Sequence, residues 1–445
     1  MPHGAYDADD VRGMCRDLGV TALQLQFLDI LGMVKHVTVP TSHLDEALAG
    51  EVIVDGSASE SFVRTRESDM YLHPDPRTFC LLPWKTAPAV TARLICDLYR
   101  MDGTPAPEDP RQVLRRAAAA AQAMGYTAMV GMEPEFFLFR RDPAGRATTE
   151  TLDLASYFDM APADVGETVR EEIVATLQRM GFIVESSHHE AAPGQHEIDL
   201  QYAPALAAAD DFATLRTVVR TVAAAHGLHA TFMPKPVGDV NGSGLHVHHS
   251  LFRGDQNAFH DPQAADGLAR VARHFVAGVL AHARGFTAVT NPLINSYKRL
   301  VPGYEAPVYA TWSHRDHSPL VRVPARRGNG TRVELRSPDP SCNAYLAFAA
   351  ILQSGLDGVA HRSEPPRQAG VAVYRMTDQE RQDLGIVPLP VDLNDALQAL
   401  QADDVVCDAL GPSIVQRFVE AKDIEWDYYR RQVHKWEIDQ YLATF

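Results

Sequence analysis

The sequence predicts an α+β protein with a small β-rich N-terminal part and a larger part of mixed composition. Strand-like alternation dominates up to about Met101, where few long helical patterns occur. The alanine-rich run from Arg111 to Met124 is typical of a helix, and β-like and helical segments alternate through the rest of the chain. Between the two parts, the segment 102–110 contains Asp-Gly, three prolines and two further acidic residues, which indicates a domain boundary.

The first elements follow from capping and alternation. Residues 8 to 19 open with acidic groups and predict a short helix. Two strands follow, one around Leu25 and one around Val37, because apolar and polar residues alternate in both. Leu31-Gly32 lies between these strands and predicts a hairpin.

Size and charge limit the functional classes. With 445 residues and 46% hydrophobic content, the chain can bury a large core, and its length suggests about two or three domains. The formal net charge of -16 argues against nucleic acid as the main partner, because phosphate binding relies on clustered lysine and arginine.

The apolar stretches, the N-terminal segment and the cysteines indicate where the protein is located in the cell. No apolar stretch approaches the roughly 20 residues of a membrane helix, and the segment from Met1 to Asp10 is polar and acidic. We therefore expect a cytoplasmic protein with neither a membrane span nor a secretion signal. The five cysteines include no Cys-x-x-Cys pair, which favours reduced thiols over a disulfide framework or a structural zinc site.

A first pair of carboxylates lies in an apolar stretch, Gly131 to Phe139. Glu133 and Glu135 are two residues apart, so in a strand both side chains leave from the same face. One solvent-facing polar side is the ordinary explanation of such alternation. The flanking aromatic residues favour burial instead, and adjacent buried carboxylates repel each other unless they are protonated or bind a cation.

A second pair lies in the segment His188 to Glu197. If Pro193-Gly194 forms a two-residue turn, Glu190 and Glu197 face each other directly across two strands. Like charges placed in this way are destabilising without a counterion. The register is a hypothesis, because proline at the first turn position is not typical of the commonest hairpin turns.

Two further segments carry polar groups on one face of a strand. The glycine-containing loop that starts at Asn241 leads into a strand with His246 and His248 on one face. In Arg332 to Arg336, three charged residues share one face and two apolar residues the other. Taken alone, a salt-bridged surface strip explains the latter segment equally well.

These groups together are typical of a divalent-metal and phosphate site. Oxygen-rich ligand sets with an imidazole suit Mg²⁺ or Mn²⁺, and two such ions can clamp the phosphates of a nucleotide. No Walker loop, Rossmann glycine pattern or kinase motif is present, so metals and arginines would hold the phosphates. Arginines are concentrated between Arg299 and Arg336 among apolar residues, which indicates an anion site.

The motifs resemble those of glutamine synthetases of bacterial type I, in the shorter, non-adenylylated alpha subclass. The resemblance extends over essentially the whole chain, and the motifs occur in the order of the family. They are Asp55-Gly56-Ser57, Glu133-Pro134-Glu135, His189-Glu190 through His196-Glu197, Asn241 to His246, Asn295 to Pro307 and Arg332 to Arg336.

The resemblance implies an architecture. It implies a small N-terminal β-grasp-like domain over residues 1–104 and a catalytic domain over residues 105–445, in which helices flank a curved antiparallel sheet. It also implies a dodecamer of two hexameric rings, with Asp55 carried to the active site of a neighbouring subunit. The segment Trp426 to Phe445 resembles the inter-ring arm of the family, and a terminal amphipathic helix is the alternative.

The resemblance also implies roles for individual residues. Two or three Mg²⁺ or Mn²⁺ ions per site would be held by Glu135, Glu190 and Glu197 nearer glutamate, and by Glu133, His246 and Glu334 nearer the ATP phosphates. Glutamate would be bound by Arg299, Arg336, Asn241 and Gly242. ATP would be bound by Tyr202, His248, Ser250, Arg322 and Arg332. Arg322 and Arg336 would also be catalytic, because they absorb charge during phosphoryl transfer. Ammonium would be bound by Asp55, Tyr157 and Glu190, and Glu305 would close a flap over the reacting centre.

The implied reaction is the ATP-dependent ligation of ammonia to glutamate through γ-glutamyl phosphate, with Asp55 taking a proton from ammonium. Two departures from the family pattern keep two alternatives open. One is a γ-glutamyl-amine ligase that uses a larger amine such as a polyamine or ethanolamine, and the other is a catalytically silent family member. Arg315-Asp316-His317 stands where the family usually has an arginine, and a lost charge-assisted contact costs about 1.5 to 3 kcal/mol. The segment from Ser57 to Phe62, beside the amine pocket, also differs.

Overall fold

A computed structural model describes residues 4–56, 69–314, 317–368 and 373–445 and confirms the α+β prediction. Within these ranges the helices are α1 (Ala8–Asp17), α2 (Leu44–Leu48), α3 (Pro110–Ala123), α4 (Glu167–Arg179), α5 (Ala205–Ala225), α6 (Arg270–Ala281), α7 (Ala283–Thr290), α8 (Ser296–Arg299), α9 (Ala344–His361), α10 (Asp378–Asp383), α11 (Leu393–Gln401), α12 (Asp404–Leu410), α13 (Pro412–Tyr429) and α14 (Lys435–Tyr441). The strands are β1 (Ala22–Leu28), β2 (Val34–Pro40), β3 (Val52–Asp55), β4 (Asp69–Leu81), β5 (Thr91–Arg100), β6 (Thr127–Arg141), β7 (Ala147–Thr151), β8 (Val184–His189), β9 (Gln195–Pro204), β10 (Leu228–Thr231), β11 (Leu245–Arg253), β12 (Gln256–Asn257), β13 (Trp312–Ser313), β14 (Val321–Arg322) and β15 (Val333–Leu335).

The N-terminal strands form one sheet in the order β2-β1-β5-β4-β3, in which only β1 and β5 run parallel. The predicted first helix is confirmed as α1, and the predicted hairpin joins β1 to β2. Gly32 has a φ of +81° in this turn, a conformation that glycine adopts without steric cost. A Cβ there would also lie 2.9 Å from the Cα of Asn343, so the turn packs closely against the start of α9.

The larger sheet has β6 near its centre. Its main path is β13-β14-β15-β11-β6-β9-β8, and β7, β10 and β12 attach at its sides. Met132, Phe136 and Leu138 of β6 are buried in the main core, against which α3, α5 and α9 also pack. Each such buried side chain contributes about 1.5 to 3 kcal/mol relative to an exposed one. The opposite face of β6 carries Glu133 and Glu135, so one strand joins the core to the candidate site.

A buried ion cluster connects the N-terminal sheet to the helices α3 and α5. Arg111, at the start of α3, donates to Asp75 of β4 at 2.9 Å, to Asp97 of β5 at 2.9 Å and to Asp210 of α5 at 2.8 Å. Breaking a buried, hydrogen-bonded pair of this kind costs about 3 to 5 kcal/mol. The helix predicted over 111–124 is confirmed as α3, whereas the division of the chain between residues 104 and 105 stays a prediction.

The predicted register of the β8–β9 hairpin is wrong. Glu197 lies opposite His188, and the N–H of Glu190 donates to the carbonyl of Gln195 at 2.8 Å. Pro193 and Gly194 do form the centre of a turn, but the strands begin to pair beyond a longer loop. The register is therefore displaced by two residues, and an even displacement leaves the same side chains on the same face.

The C-terminal segment is helical and largely exposed. The segment 426–445 is divided between the end of α13 and the short α14, and Trp436, Leu442 and Phe445 are exposed. Its role as an inter-ring arm stays a prediction. All five cysteines are free. None of the helices in the described ranges combines the length and the apolar character that crossing a membrane requires.

Candidate active site

Neighbouring strands of the large sheet place the candidate metal ligands in a row across one face. Glu133 of β6 lies directly opposite His246 of β11, and Glu334 of β15 lies opposite His248 of the same β11. The ring of His248 is 2.7 Å from a carboxylate oxygen of Glu133, and His246 is 3.3 Å from the other oxygen. Through β11, these two cross-strand pairings bring Glu133 and Glu334 together, although they are about 200 positions apart in the chain.

The row continues on the other side of β6. Glu135 lies opposite Glu197 of β9, which in turn lies opposite His188 of β8. The ring of His188 is 3.3 Å from Glu197 and 3.6 Å from Glu190. We call Glu135, Glu190 and Glu197, with His188, the acidic end of the row.

The other end is dominated by arginine. Arg322 of β14 lies opposite Glu334 and donates to it at 2.7 Å, and Arg336 forms a second ion pair with the same carboxylate. Glu334 is fully buried, and each of its two carboxylate oxygens contacts one of these arginines, which balance its negative charge. We call Glu334, Arg322 and Arg336 the arginine end.

The row lines a cleft of about 550 Å³. Most of the predicted site residues lie around it. They are Glu133, Glu135, Tyr157, Glu190, Glu197, Asn241, Gly242, His246, Arg299, Glu305, Arg322, Glu334 and Arg336.

The predicted nucleotide residues lie around a second, neighbouring cleft of about 260 Å³. Tyr202, His248, Ser250 and Arg332 line it, and Glu133 lines both clefts. Arg332 donates to the Nδ1 of His248 at 3.2 Å, while the Nε2 of the same ring contacts Glu133. His248 therefore connects the second cleft to the carboxylate row.

Arg322 lines the first cleft, although the resemblance groups it with the nucleotide residues. Asp55 ends β3 in the N-terminal sheet and lines neither cleft of its own chain. Its predicted place in the site of a neighbouring subunit stays a prediction.

Two positions of the predicted glutamate loop are so closely surrounded that they need glycine. A Cβ at Gly242 would lie 2.2 Å from the carbonyl oxygen of Pro234, and one at Gly244 would lie 2.5 Å from the guanidinium of Arg299. The N–H of Gly244 donates to Glu135 at 3.0 Å. Substitution at Gly242 would displace the loop, which places Asn241 3.2 Å from Glu305, whereas a side chain at Gly244 would collide with the guanidinium of Arg299.

Arg299 is buried and fixed by the main chain. It donates to the carbonyl oxygens of Arg336, Ser337 and Pro338 at 3.1, 2.8 and 3.2 Å. Because these acceptors are neutral, its charge is not cancelled by a direct ion pair with a carboxylate among the described residues. The arginine can therefore attract a substrate carboxylate in the cleft.

The carboxyl groups at the two ends of the row differ in pKa. Burial and the nearby charge of Glu135 raise the pKa of Glu190 to about 8, and burial raises that of Glu135 to about 7. The same two causes raise the pKa of Glu197 far above its usual range. Burial also opposes ionisation of Glu334, but the charges of His248 and a neighbouring arginine outweigh it and lower the pKa to about 2.

The donor chemistry fits divalent cations. Three groups in the row have ligand atoms within 4.8 Å of one another, namely Glu133, His246 and Glu334, then Glu135, Glu197 and His246, and finally His188, Glu190 and Glu197. The first group coincides with a predicted ligand set. The second predicted set is distributed over two groups, because Glu190 lies beside His188 and Glu135 lies beside His246. Buried, mutually repelling carboxylates of this kind favour a hard cation.

Sequence reasoning missed His188, whose ring lies within 4 Å of two predicted ligands and edge-on to Tyr157, with ring centroids 5.5 Å apart. The signal was present in the chain, because His188 shares a strand face with Glu190. The assumed turn assigned the position opposite Glu197 to the wrong residue.

Two family models match the chain. The model described as glutamine synthetase, catalytic domain, matches residues 107–441, and the one described as glutamine synthetase, beta-Grasp domain, matches residues 19–101. The chain belongs to the glutamine synthetase family. A glutamine synthetase of Staphylococcus aureus strain MRSA252 is 52% identical, and one of Staphylococcus epidermidis is 51% identical, each over 446 residues and 100% of both chains.

Two solved structures share the fold of this chain. The structure of GmaS in complex with ADP has a TM-score of 0.88 at 32% identity and covers 97% of this chain and 99% of its own. A glutamine synthetase of Plasmodium falciparum has a TM-score of 0.87 at 21% identity, covers 99% and 100%, and shows the likeness of fold alone. The fold predicted from the glutamine synthetase resemblance is therefore confirmed.

Of the two segments that depart from the glutamine synthetase pattern, only His317 lies within the described residues. Ser57 to Phe62, Arg315 and Asp316 lie outside the described residues. His317 lines the first cleft, where burial lowers its pKa, so at neutral pH it contributes no positive charge.

Proposed function

We propose that this chain ligates ammonia to glutamate at the expense of ATP, through γ-glutamyl phosphate, in the cleft that the carboxylate row lines. The observation that carries the proposal is the row itself. It places an acidic end, an arginine end and a second cleft with a tyrosine in one continuous surface. A cationic amine precursor, an anionic amino acid and a nucleotide each have a complementary region there.

Mg²⁺ or Mn²⁺ fits the row, and we propose two or three ions per site. Glu133, His246 and Glu334 would hold one ion, and Glu135, Glu190 and Glu197, with His188 nearby, would hold the remainder. When bound, the ions neutralise charge that develops on the transferring phosphoryl group.

We assign the substrate carboxylate to Arg299 and Arg336, with the loop at Asn241 and Gly242 closing over it. Guanidinium groups match carboxylate geometry, and both arginines are buried, which strengthens the attraction. ATP would lie over Tyr202, His248 and Ser250 in the second cleft, with Arg332 and Arg322 directed to its phosphates. This arrangement brings the γ-phosphate to the junction of the two clefts, beside Glu133.

The amine enters at the acidic end in this proposal. Tyr157 and Glu190 would bind ammonium, and Asp55 of a neighbouring subunit would accept a proton from it so that neutral ammonia can attack. Glu305 would close the cleft and keep water from the acyl phosphate. These roles require an oligomer, which we propose to be a dodecamer of two hexameric rings located in the cytoplasm. We also propose domains at 1–104 and 105–445.

The test is phosphate release by purified protein given Mg²⁺ or Mn²⁺, ATP, glutamate and ammonium, with glutamine identified by mass spectrometry. We expect release that depends on all of these components. Parallel reactions contain methylamine, ethanolamine or putrescine in place of ammonium. Turnover only with a larger amine would contradict the ammonia assignment, and absence of turnover with every amine would overturn the proposal as a whole.

A further inference from the structure

A buried carboxylate lies behind the acidic end of the row and has no part in the reaction described above. Strand alternation directs Glu190 into the cleft and the adjacent His189 to the opposite side, where it is completely buried. The side chain of Asp153 is only 2% exposed and lies 3.3 Å from the Nε2 of His189. The other ring nitrogen of His189 is 2.6 Å from the carbonyl oxygen of Glu190.

Asp153 gathers donors from three separate segments. Its Oδ1 accepts from the N–H of Ala155 at 3.3 Å and of Gly194 at 3.1 Å, and its Oδ2 accepts from the N–H of Val165 at 3.1 Å. We call Asp153 and these partners, with His189, the Asp153 clamp. It joins the loop after β7, the turn of the β8–β9 hairpin and the segment that precedes α4.

The carboxyl group of Asp153 is ionised, which strengthens the hydrogen bonds that it accepts. Burial opposes ionisation of Asp153, but hydrogen bonds from His189 and Gly194 outweigh it and lower the pKa to about 2. The carboxylate therefore stays ionised, and a charged acceptor makes stronger hydrogen bonds than a neutral one.

The loop that the clamp holds contains a strained residue. Phe158 has a φ of +63°, which is a rare conformation for a bulky side chain and persists only where the surroundings impose it. Its N–H donates to the carbonyl of His189 at 3.1 Å, and its ring packs on Tyr157 with a centroid separation of 3.9 Å. His189 is thus linked to Asp153 through its side chain and to Phe158 through its backbone.

We propose that Asp153 is a positioning residue that holds Tyr157 against the acidic end of the cleft and thereby sets the size of the amine that the site accepts. This inference rests on the proposed function. Tyr157 lines the cleft beside Glu190 although its side chain is half exposed, so its position depends on the loop that carries it. A loop released from the clamp moves this wall outward, which weakens ammonium binding and admits a larger amine.

Asp153→Asn is the main test, because every backbone partner of Asp153 is a donor. An asparagine of the same shape must turn its own NH₂ towards at least one of these N–H groups. We expect the KM for ammonium to rise about 10-fold, which corresponds to the loss of one or two buried hydrogen bonds. The ratio of kcat/KM for methylamine to that for ammonium should rise as well, while the KM values for ATP and glutamate change less than about two-fold.

A matched control is Asp142→Asn. Asp142 also accepts backbone N–H groups, from Ala144 at 3.0 Å and Arg146 at 2.8 Å, in the turn between β6 and β7 and away from the cleft. The Asp142→Asn variant should leave both the amine ratio and the KM for ammonium unchanged.

A double-mutant cycle of Asp153→Asn with Tyr157→Phe adds a second check. If Asp153 acts through the hydroxyl of Tyr157, the two effects on the KM for ammonium are strongly non-additive.

Outcomes of these measurements separate the inference from the proposed function. Wild-type protein without ammonium-dependent turnover contradicts the function, and the clamp is then tested by hydrogen exchange, in which Asp153→Asn should speed exchange of the amides of residues 155–158. Should Asp153→Asn not fold, Asp153→Glu takes its place, because it keeps the negative charge but moves the carboxylate away from its backbone donors and should still change the amine ratio. An unchanged amine ratio or unchanged exchange in a folded variant overturns the inference.

Discussion

The acidic end and the arginine end of the cleft contain the same residue type in opposite electrostatic situations. Glu334 is completely buried and forms ion pairs with Arg322 and Arg336. Burial opposes its ionisation, yet the nearby charges of His248 and Arg336 lower its pKa to about 2. Glu190 is also buried, but burial and its carboxylate neighbours raise its pKa to about 8. The nearest basic group at the acidic end is the ring of His188, at 3.3 Å or more from the carboxylates.

The difference shows which half of the site is complete without a ligand. At the arginine end the protein supplies its own positive charge, so the geometry is preformed. At the acidic end the missing positive charge has to come from a bound cation or from protons. Metal binding and proton release should therefore be coupled at the acidic end and nearly independent at the arginine end.

The largest expected effect is on catalysis at the acidic end. Glu197→Gln keeps the size of the side chain but removes a ligand that two of the candidate metal groups share. We expect kcat/KM to fall about 1000-fold, since a bound cation supplies several kcal/mol of charge stabilisation. Steady-state phosphate release and Mn²⁺ titration measure this loss. Glu172→Gln, at an exposed glutamate that pairs with His226, is the matched control and should retain activity. Near-normal activity of Glu197→Gln would remove the acidic end from the mechanism.

A second prediction compares the stability of the metal-free protein after one substitution at each end. Glu334→Gln leaves two arginines without their carboxylate and should lower the free energy of unfolding by about 3 kcal/mol. Glu190→Gln removes a repelling charge and should leave stability unchanged or raise it by up to about 1 kcal/mol at pH 9. Urea unfolding in the presence of a chelator measures both. Losses of equal size at the two ends would show that the acidic end is compensated by groups that we have not identified.

A third prediction concerns pH. In the folded, metal-free protein, Glu135 and Glu190 have pKa values of about 7 and 8, whereas an unfolded glutamate ionises near pH 4.3. Between these values the folded state binds more protons than the unfolded state, so stability falls as pH rises. The slope should be at most about 1.4 kcal/mol per pH unit for each proton.

Metal should abolish this pH dependence. Mn²⁺ at 100 times its Kd should add about 2.7 kcal/mol and hold the carboxyl groups ionised, which flattens the profile above pH 7. Thermal unfolding between pH 6 and 9, with and without Mn²⁺, provides the measurement, and Glu190→Gln should reduce the slope of the metal-free protein. A metal-free stability that rises with pH across this range would contradict the assignment of raised pKa values.

The difference between the ends also marks what could be predicted from the sequence. Alternation within one strand identified the cleft faces of β6, β11 and β15, because a period of two is a local property. It could not show that Arg322 lies opposite Glu334, since that pairing depends on the register of strands that are distant in the chain. The same limit led to the wrong partner for Glu197.

The Asp153 clamp lay beyond sequence reasoning for a related reason. Its donors are mostly backbone N–H groups at Ala155, Val165 and Gly194, and side-chain chemistry gives no sign of them. The left-handed conformation of Phe158 is equally invisible, because no glycine or asparagine marks the position. Family resemblance named the residues that we propose to contact substrate, whereas the residues that hold them in place became visible only in the three-dimensional structure.

The smallest expected effect tests whether the arginine end is saturated with positive charge. His317 lines the cleft near this end, and burial lowers its pKa, so it is neutral at pH 7. His317→Arg adds a permanent charge, and if the transferring phosphoryl group still lacks a partner, kcat should rise by up to about 10-fold through one further charge-assisted contact. His361→Arg makes the same substitution at an exposed histidine at the end of α9 and should have no effect. A lower kcat for His317→Arg would mean that Arg322 and Arg336 already supply all the charge that the transition state uses. The added arginine would then repel the divalent cation that we propose at Glu334. In that case the arginine end and the acidic end would be less independent than their pKa values indicate.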